Sequence, residues 1–128
     1  MTRISDRFLQ LGVLFGLLGM GLGVWMGKSE DLTLAPVHAH INLLGWVSML
    51  LYGLAYRAVP RMTAGVLPVV HFWLSLVSFV VMIPSLAGFL LGDKAMIAPL
   101  AASSVGVWLG MLLFAVIVFR ATWRAEAG

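Results

Sequence analysis

Four long stretches of this chain, residues 8–27, 32–56, 62–92 and 95–119, contain no Asp, Glu, Lys or Arg. Each is long enough to cross the hydrocarbon of a bilayer, which takes about 20 helical residues. Inside lipid the backbone N–H and C=O groups have no water to bond, so only helices and closed barrels can span. Barrel strands would be short and would alternate apolar with polar residues, and no such alternation is present. The sequence therefore predicts an all-α fold. It is a single domain, residues 1–128, with four transmembrane helices at about 8–27, 37–56, 67–91 and 96–119. Composition agrees: 10% of the residues are charged, against about 25% in a soluble domain.

The first run is long for the core of a cleaved signal, and no A-x-A-like site follows it before Lys28, so it reads as a retained helix. Cysteine is absent, which excludes disulfides, Cys-ligated iron–sulfur clusters and thiolate metal sites. The pI near 10.0 is explained by membrane topology rather than by nucleic acid. Arg3, Arg7, Arg57, Arg61, Arg120 and Arg124 fall at the N-terminus, the second loop and the C-terminus, which four spans put on one side. Lys28 and Lys94, on the other side, are offset by Glu30, Asp31 and Asp93. The positive-inside rule then predicts both termini in the cytoplasm of a cell whose inner membrane this chain crosses.

Gly12, Gly16, Gly19, Gly23 and Gly27 line the first helix at mostly four-residue spacing. Such a strip admits a close helix from the same chain, a helix from another chain, or a flat cofactor. Pro36 suits the first turn of the second helix. Pro84 is expected to kink the third, and Ala102, Gly106 and Gly110 repeat the small-residue spacing in the fourth. Trp25, Trp73 and Trp123 fall near the expected interfaces.

Ionisable side chains inside a span are costly, so the three histidines, His38, His40 and His71, are the functional candidates. His38 and His40 open the second helix; His71 starts the third at the opposite end. The two levels are something like 15–20 Å apart along a helix rising about 1.5 Å per residue, too far to share one small ion. Positions i and i+2 diverge by about 200° around a helix, so His38 and His40 cannot chelate one metal together. Each must find its partner on another helix or another chain. A haem fits this geometry, since it takes axial imidazoles on opposite faces of its iron. In a closed ring of identical chains, His38 of one copy and His40 of the next could flank one haem. The spacing leaves other readings open: two imidazoles reaching interfacial water or capping the helix, or a copper or zinc ion shared between chains. Asn42, one turn from His38, is placed to bond an imidazole, a cofactor group or another helix. His71 reads as bonded to a backbone carbonyl or a lipid headgroup, or else as a third ligand.

The segments His38-Ala-His40-Ile-Asn-Leu-Leu-Gly-Trp46, Tyr56-Arg57-x-x-Pro60-Arg61 and His71-Phe72-Trp73-Leu74 resemble subunit I of haem–copper oxidases and nitric oxide reductases, over roughly residues 36–90. In that family an early helix carries a haem-ligating histidine near its outer end, and a later one carries a His-x-His pair whose members ligate two different haems. The resemblance implies that His38 and His40 are axial ligands of haem b, with Asn42 and His71 as further cofactor contacts. It also implies that three four-helix chains together mimic one twelve-helix subunit. The His-His pair and cross-linked tyrosine of the oxidase copper site have no counterpart, and no acidic residue lies within a span. The expected function is thus electron transfer or the binding of O₂ or NO, with a quinol or a cytochrome as redox partner. If the chain is an enzyme, it is a haem-dependent oxidoreductase. The alternatives are a cofactor-free membrane scaffold or assembly factor, and a copper-handling protein, though the soft Cys ligands that favour Cu(I) are missing.

Overall fold

The computed structural model describes residues 3–126, the side chains of 124–126 excepted, so the Arg124 side chain falls outside what is described. Four helices are long and apolar enough to cross a membrane, as expected of a multi-pass membrane protein. They are α1 (Ile4–Ser29), α2 (Ala35–Ala58), α3 (Leu67–Leu90) and α4 (Ile97–Glu126). Helices α1 and α4 extend well past the uncharged runs, taking in Asp6 and Arg7 at one end and Arg120 at the other. Charge marks the edge of the hydrocarbon, but a helix continues for as long as its backbone bonds are satisfied. Helix α3 runs unbroken through Pro84.

The connections are short and locally bonded. Helix α1 closes on Glu30 in the left-handed conformation (φ 58°). The carboxylate of Asp31 then accepts from the N–H and hydroxyl of Thr33 at 2.9 and 2.6 Å. Asp93 accepts from Ala95 N–H at 2.9 Å and starts a 3₁₀ turn, Lys94–Met96, that leads into α4. Between α2 and α3 lies a second 3₁₀ turn, Pro60–Thr63, followed by Gly65 at φ 76°.

Helices α1 and α2 form one antiparallel pair and α3 and α4 the other. The glycine strip of α1 faces α2: a Cβ at Gly12, Gly16, Gly19 or Gly23 would lie 2.7–3.1 Å from Leu50, Trp46, Asn42 or His38 respectively. Backbones can approach this closely only where side chains are missing. In α4, Gly106 and Gly110 receive Ser78 and Ser75 of α3 in the same way. The two pairs join through an aromatic cluster to which every helix contributes. Phe8, Tyr52, Tyr56, His71, Phe72 and Phe114 lie with ring centroids 4.6–6.1 Å apart.

Helix α2 is not α-helical throughout. Ala35–His40 is α, Ile41–Ser48 is π, and Met49–Ala58 is α again. The contact with α1 gives a reason for the wider coil. From Gly12 to Gly23 helix α1 uses 11 residues (23 − 12), while from Leu50 back to His38 helix α2 uses 12 (50 − 38). The π segment takes up the extra residue. Ser48 closes it, its hydroxyl donating to the Leu43 carbonyl five residues back at 2.7 Å. Gly45 lets the coil through, because a Cβ there would meet Phe79 at 2.5 Å and Phe15 at 2.9 Å.

Candidate functional site

His38 and His40 lie in the last α-helical turn before the π segment, both half-buried, with exposed Ala39 between them. Because that turn is α, the two positions diverge by about 200°, as the spacing predicts. His38 turns toward α1. Its Nδ1–H donates to the Gly19 carbonyl at 2.7 Å, and its ring lies against the bare backbone of Gly23. His40 donates from Nδ1 to the Pro36 carbonyl one turn earlier, also at 2.7 Å. The Gly19 and Pro36 oxygens can only accept, so both rings are held in the tautomer that carries its proton on Nδ1. Each Nε2 keeps its lone pair, makes no hydrogen bond among the described residues, and is not sealed from outside. Metal-ligating histidines usually show this arrangement, with the distal N–H bonded to a carbonyl and the other nitrogen free.

Asn42 reaches back to the same turn. Its amide donates to the His38 carbonyl at 2.9 Å and lies 3.3 Å from the His38 Nδ1. Its side chain also rests on Gly19, where a Cβ would come within 2.7 Å. Asn42 thus steadies the turn that carries His38. Among the described residues, no group of three or more His, Asp or Glu side chains is arranged to hold a metal ion. Within one chain the site therefore consists of two separate single donors that diverge, His38 toward α1 and His40 away from it.

His71 stands apart. Its Nδ1 is 2.8 Å from the Tyr56 hydroxyl, eighteen residues beyond His38 on α2, which puts the two imidazoles at levels roughly 25 Å apart. This is further than the sequence indicates and rules out a shared ion. His71 is also fully buried, at 0% exposure. It stacks on Phe114 at 5.3 Å and meets Tyr52 edge-on at 4.6 Å. The expectation of a carbonyl or headgroup partner is corrected here: the partner is a tyrosine hydroxyl inside the bundle. The rings that enclose His71 come from residues 8 to 114, and no local pattern around position 71 announces them. Its Nε2 and the Ser75 hydroxyl one turn on have no hydrogen-bond partner among the described residues. Next to Ser75 is a void of about 10 Å³, bordered also by Ser48 and Tyr52, which is about the space one water needs.

Two features of the site escape a reading of the sequence: the carbonyls that orient the imidazoles, and the π segment directly beneath them. Gly19 and Gly23 could have been found, since they belong to the four-residue glycine pattern, but the pattern does not say which side chain fills it. No protein-family model, curated protein or solved structure matches the chain.

Proposed function

We propose that this chain is a b-type haem protein of the bacterial inner membrane, with haem held between protomers of a homo-oligomer, most simply a trimer. The observation that carries this reading is the pair of imidazoles oriented through Nδ1 and left free at Nε2, 200° apart on one helical turn. A protein that uses one ligand on each of two neighbouring haems needs this divergence, and a site for a single small ion within one chain would not use it. The adjoining π segment adds support, since π turns are frequent at functional sites.

The residues present suit the group. Gly23 lets the His38 ring lie against the α1 backbone, where a Cβ would come within 2.7 Å of Cε1, and so holds the imidazole in place. The outward faces of the helices are apolar, with Leu43, Val47 and Leu51 of α2 exposed below the histidines, a suitable wall for a flat apolar ring. When bound, haem would supply a one-electron iron centre, and an iron left partly unligated would bind O₂ or NO. The chain itself presents neutral imidazole, fixes its tautomer and limits access of water from below with apolar side chains. The gathering of Arg3, Arg57, Arg61 and Arg120 at the far end supports a cytoplasmic position for that end and so for both termini. A quinol or a cytochrome is the proposed electron donor.

The test is an absorption spectrum of the purified protein, oxidised, dithionite-reduced, and then exposed to CO. A sharp Soret and α band unmoved by CO identifies six-coordinate, bis-histidine iron and electron transfer. A CO-shifted band identifies an open iron and gas binding. His38→Ala and His40→Ala should each lose most of the haem. Full haem content in both would refute the ligand assignment, and no Soret band after reconstitution would leave a cofactor-free scaffold.

A further inference from the structure

The arginine-bearing end of the bundle contains a cleft of about 580 Å³ between the second loop and the end of α4. Arg61 and Arg120 line it, both exposed, and neither forms an ion pair among the described residues. The one described ion pair, Arg57 with Asp6 at 2.7 Å, lies elsewhere. The bottom of the cleft is apolar: Met62 is 3% and Ile117 4% exposed. On the face of α4 that carries Arg120, Val116 one turn back and Leu109 three turns back are each 42% exposed and continue an apolar surface away from the cleft.

We propose that this cleft binds the phosphate of an anionic phospholipid, with Arg61 and Arg120 on the phosphate and an acyl chain running down α4. Two guanidinia that line one cleft, neither paired among the described residues, repel each other and favour an anion between them. Basic pockets between transmembrane helices are suited to lipid headgroups. A free anion would use only the arginines. The apolar floor and its continuation along Val116 and Leu109 are useful only to a ligand that carries a hydrocarbon chain. The positive end of α3, which opens on the cleft at Leu67, adds to a field that the two arginines already set. The proposal does not depend on haem.

The experiment uses the full chain in neutral detergent. Native mass spectrometry would measure binding of phosphatidylglycerol, phosphatidylcholine and inorganic phosphate to the wild type, Arg61→Gln, Arg120→Gln, the double variant and the control Arg3→Gln/Arg57→Gln. A basic residue near a lipid surface is worth about fivefold in affinity. Each single variant should therefore weaken phosphatidylglycerol binding about fivefold and the double about 25-fold, with little change in the control. Phosphatidylcholine and inorganic phosphate should bind poorly throughout. Unchanged phosphatidylglycerol binding in the double variant overturns the proposal, as does an equal loss in the control, which would mean general surface charge. Inorganic phosphate binding as tightly as the lipid overturns the lipid assignment. Should the double variant fail to fold, the exposed single variants carry the test, together with a salt titration of the wild type, which must weaken binding.

Discussion

Substituting Gly23 with Ala adds one methyl group, and the structure says what that methyl meets. The new Cβ would lie 2.7 Å from His38 Cε1 and 3.1 Å from Nδ1. Carbon atoms rest at about 3.5–4.0 Å, so the ring has to withdraw by roughly 1 Å. Its bond to the Gly19 carbonyl, now 2.7 Å, then passes beyond the useful range of about 3.2 Å. Overpacking of this kind costs about 1–3 kcal/mol, partly offset by about 1 kcal/mol from the better helix propensity of Ala. The fold should survive. The ligand should not be spared, because a histidine deprived of its orienting bond binds metal about 10–100-fold more weakly. The assay is a haem titration followed at the Soret band, with Gly27→Ala as control. Gly27 lies one turn further along the same helix, and a Cβ there has nothing within 4 Å. Haem binding by Gly23→Ala as tight as by the wild type would refute the role given to the Gly19 bond.

Tyr56→Phe leaves the His71 Nδ1 unpartnered in the aromatic cluster and should cost about 1–3 kcal/mol. His71→Phe strips the Tyr56 hydroxyl of its partner in turn but also removes the already unpartnered Nε2, so it should cost no more than Tyr56→Phe, and unfolding in mixed detergent micelles compares the two. Arg57→Gln removes an ion pair that is 58% exposed on the arginine side; its effect should stay below about 1 kcal/mol and vanish at high salt. In the first loop, the Thr33 hydroxyl and then its N–H hold the Asp31 carboxyl below its ordinary value of 3.8. Because the folded value is the lowered one, the turn is fully stabilised above the ordinary value and released as pH falls through the lowered one. Thr33→Val should raise the Asp31 titration toward 3.8, as read by NMR of the side-chain carboxyl.

The four spans were legible because lipid penalises charge, and the charges of this chain fall between the apolar runs. Helix ends were less so, since Asp6, Arg7 and Arg120 sit on helical turns that outlast the hydrocarbon. The divergence of His38 and His40 followed from α-helical spacing alone, and it holds because Ala35–His40 is α. Had the π coil begun two residues earlier, the same spacing would have implied a different angle. The surroundings of His71 were not legible. Phe8, Tyr52, Tyr56 and Phe114 are brought around it only when all four helices meet, and apolar periodicity does not record which rings converge. The glycine strip announced a close contact without naming the partner, because its contacts are fixed by register with α2 and not by α1.

The one-residue excess that the π segment of α2 absorbs makes it a rotational phase setting between the two ends of the bundle. Everything before Ile41, including both histidines, is clocked against α1, while Tyr52 and Tyr56 are clocked against His71 and Phe114. Removing a single residue between positions 41 and 48 would let the stretch return to an α coil that matches the 11 residues of α1, so the histidine end would keep its phase relative to the tyrosine end. Forcing all the residues present into an α coil would instead turn that end by about 100°, and His38 would leave the Gly19 carbonyl while His40 would keep Pro36, which lies in its own turn. At this stretch the chain should tolerate the loss of one residue far better than the gain of one.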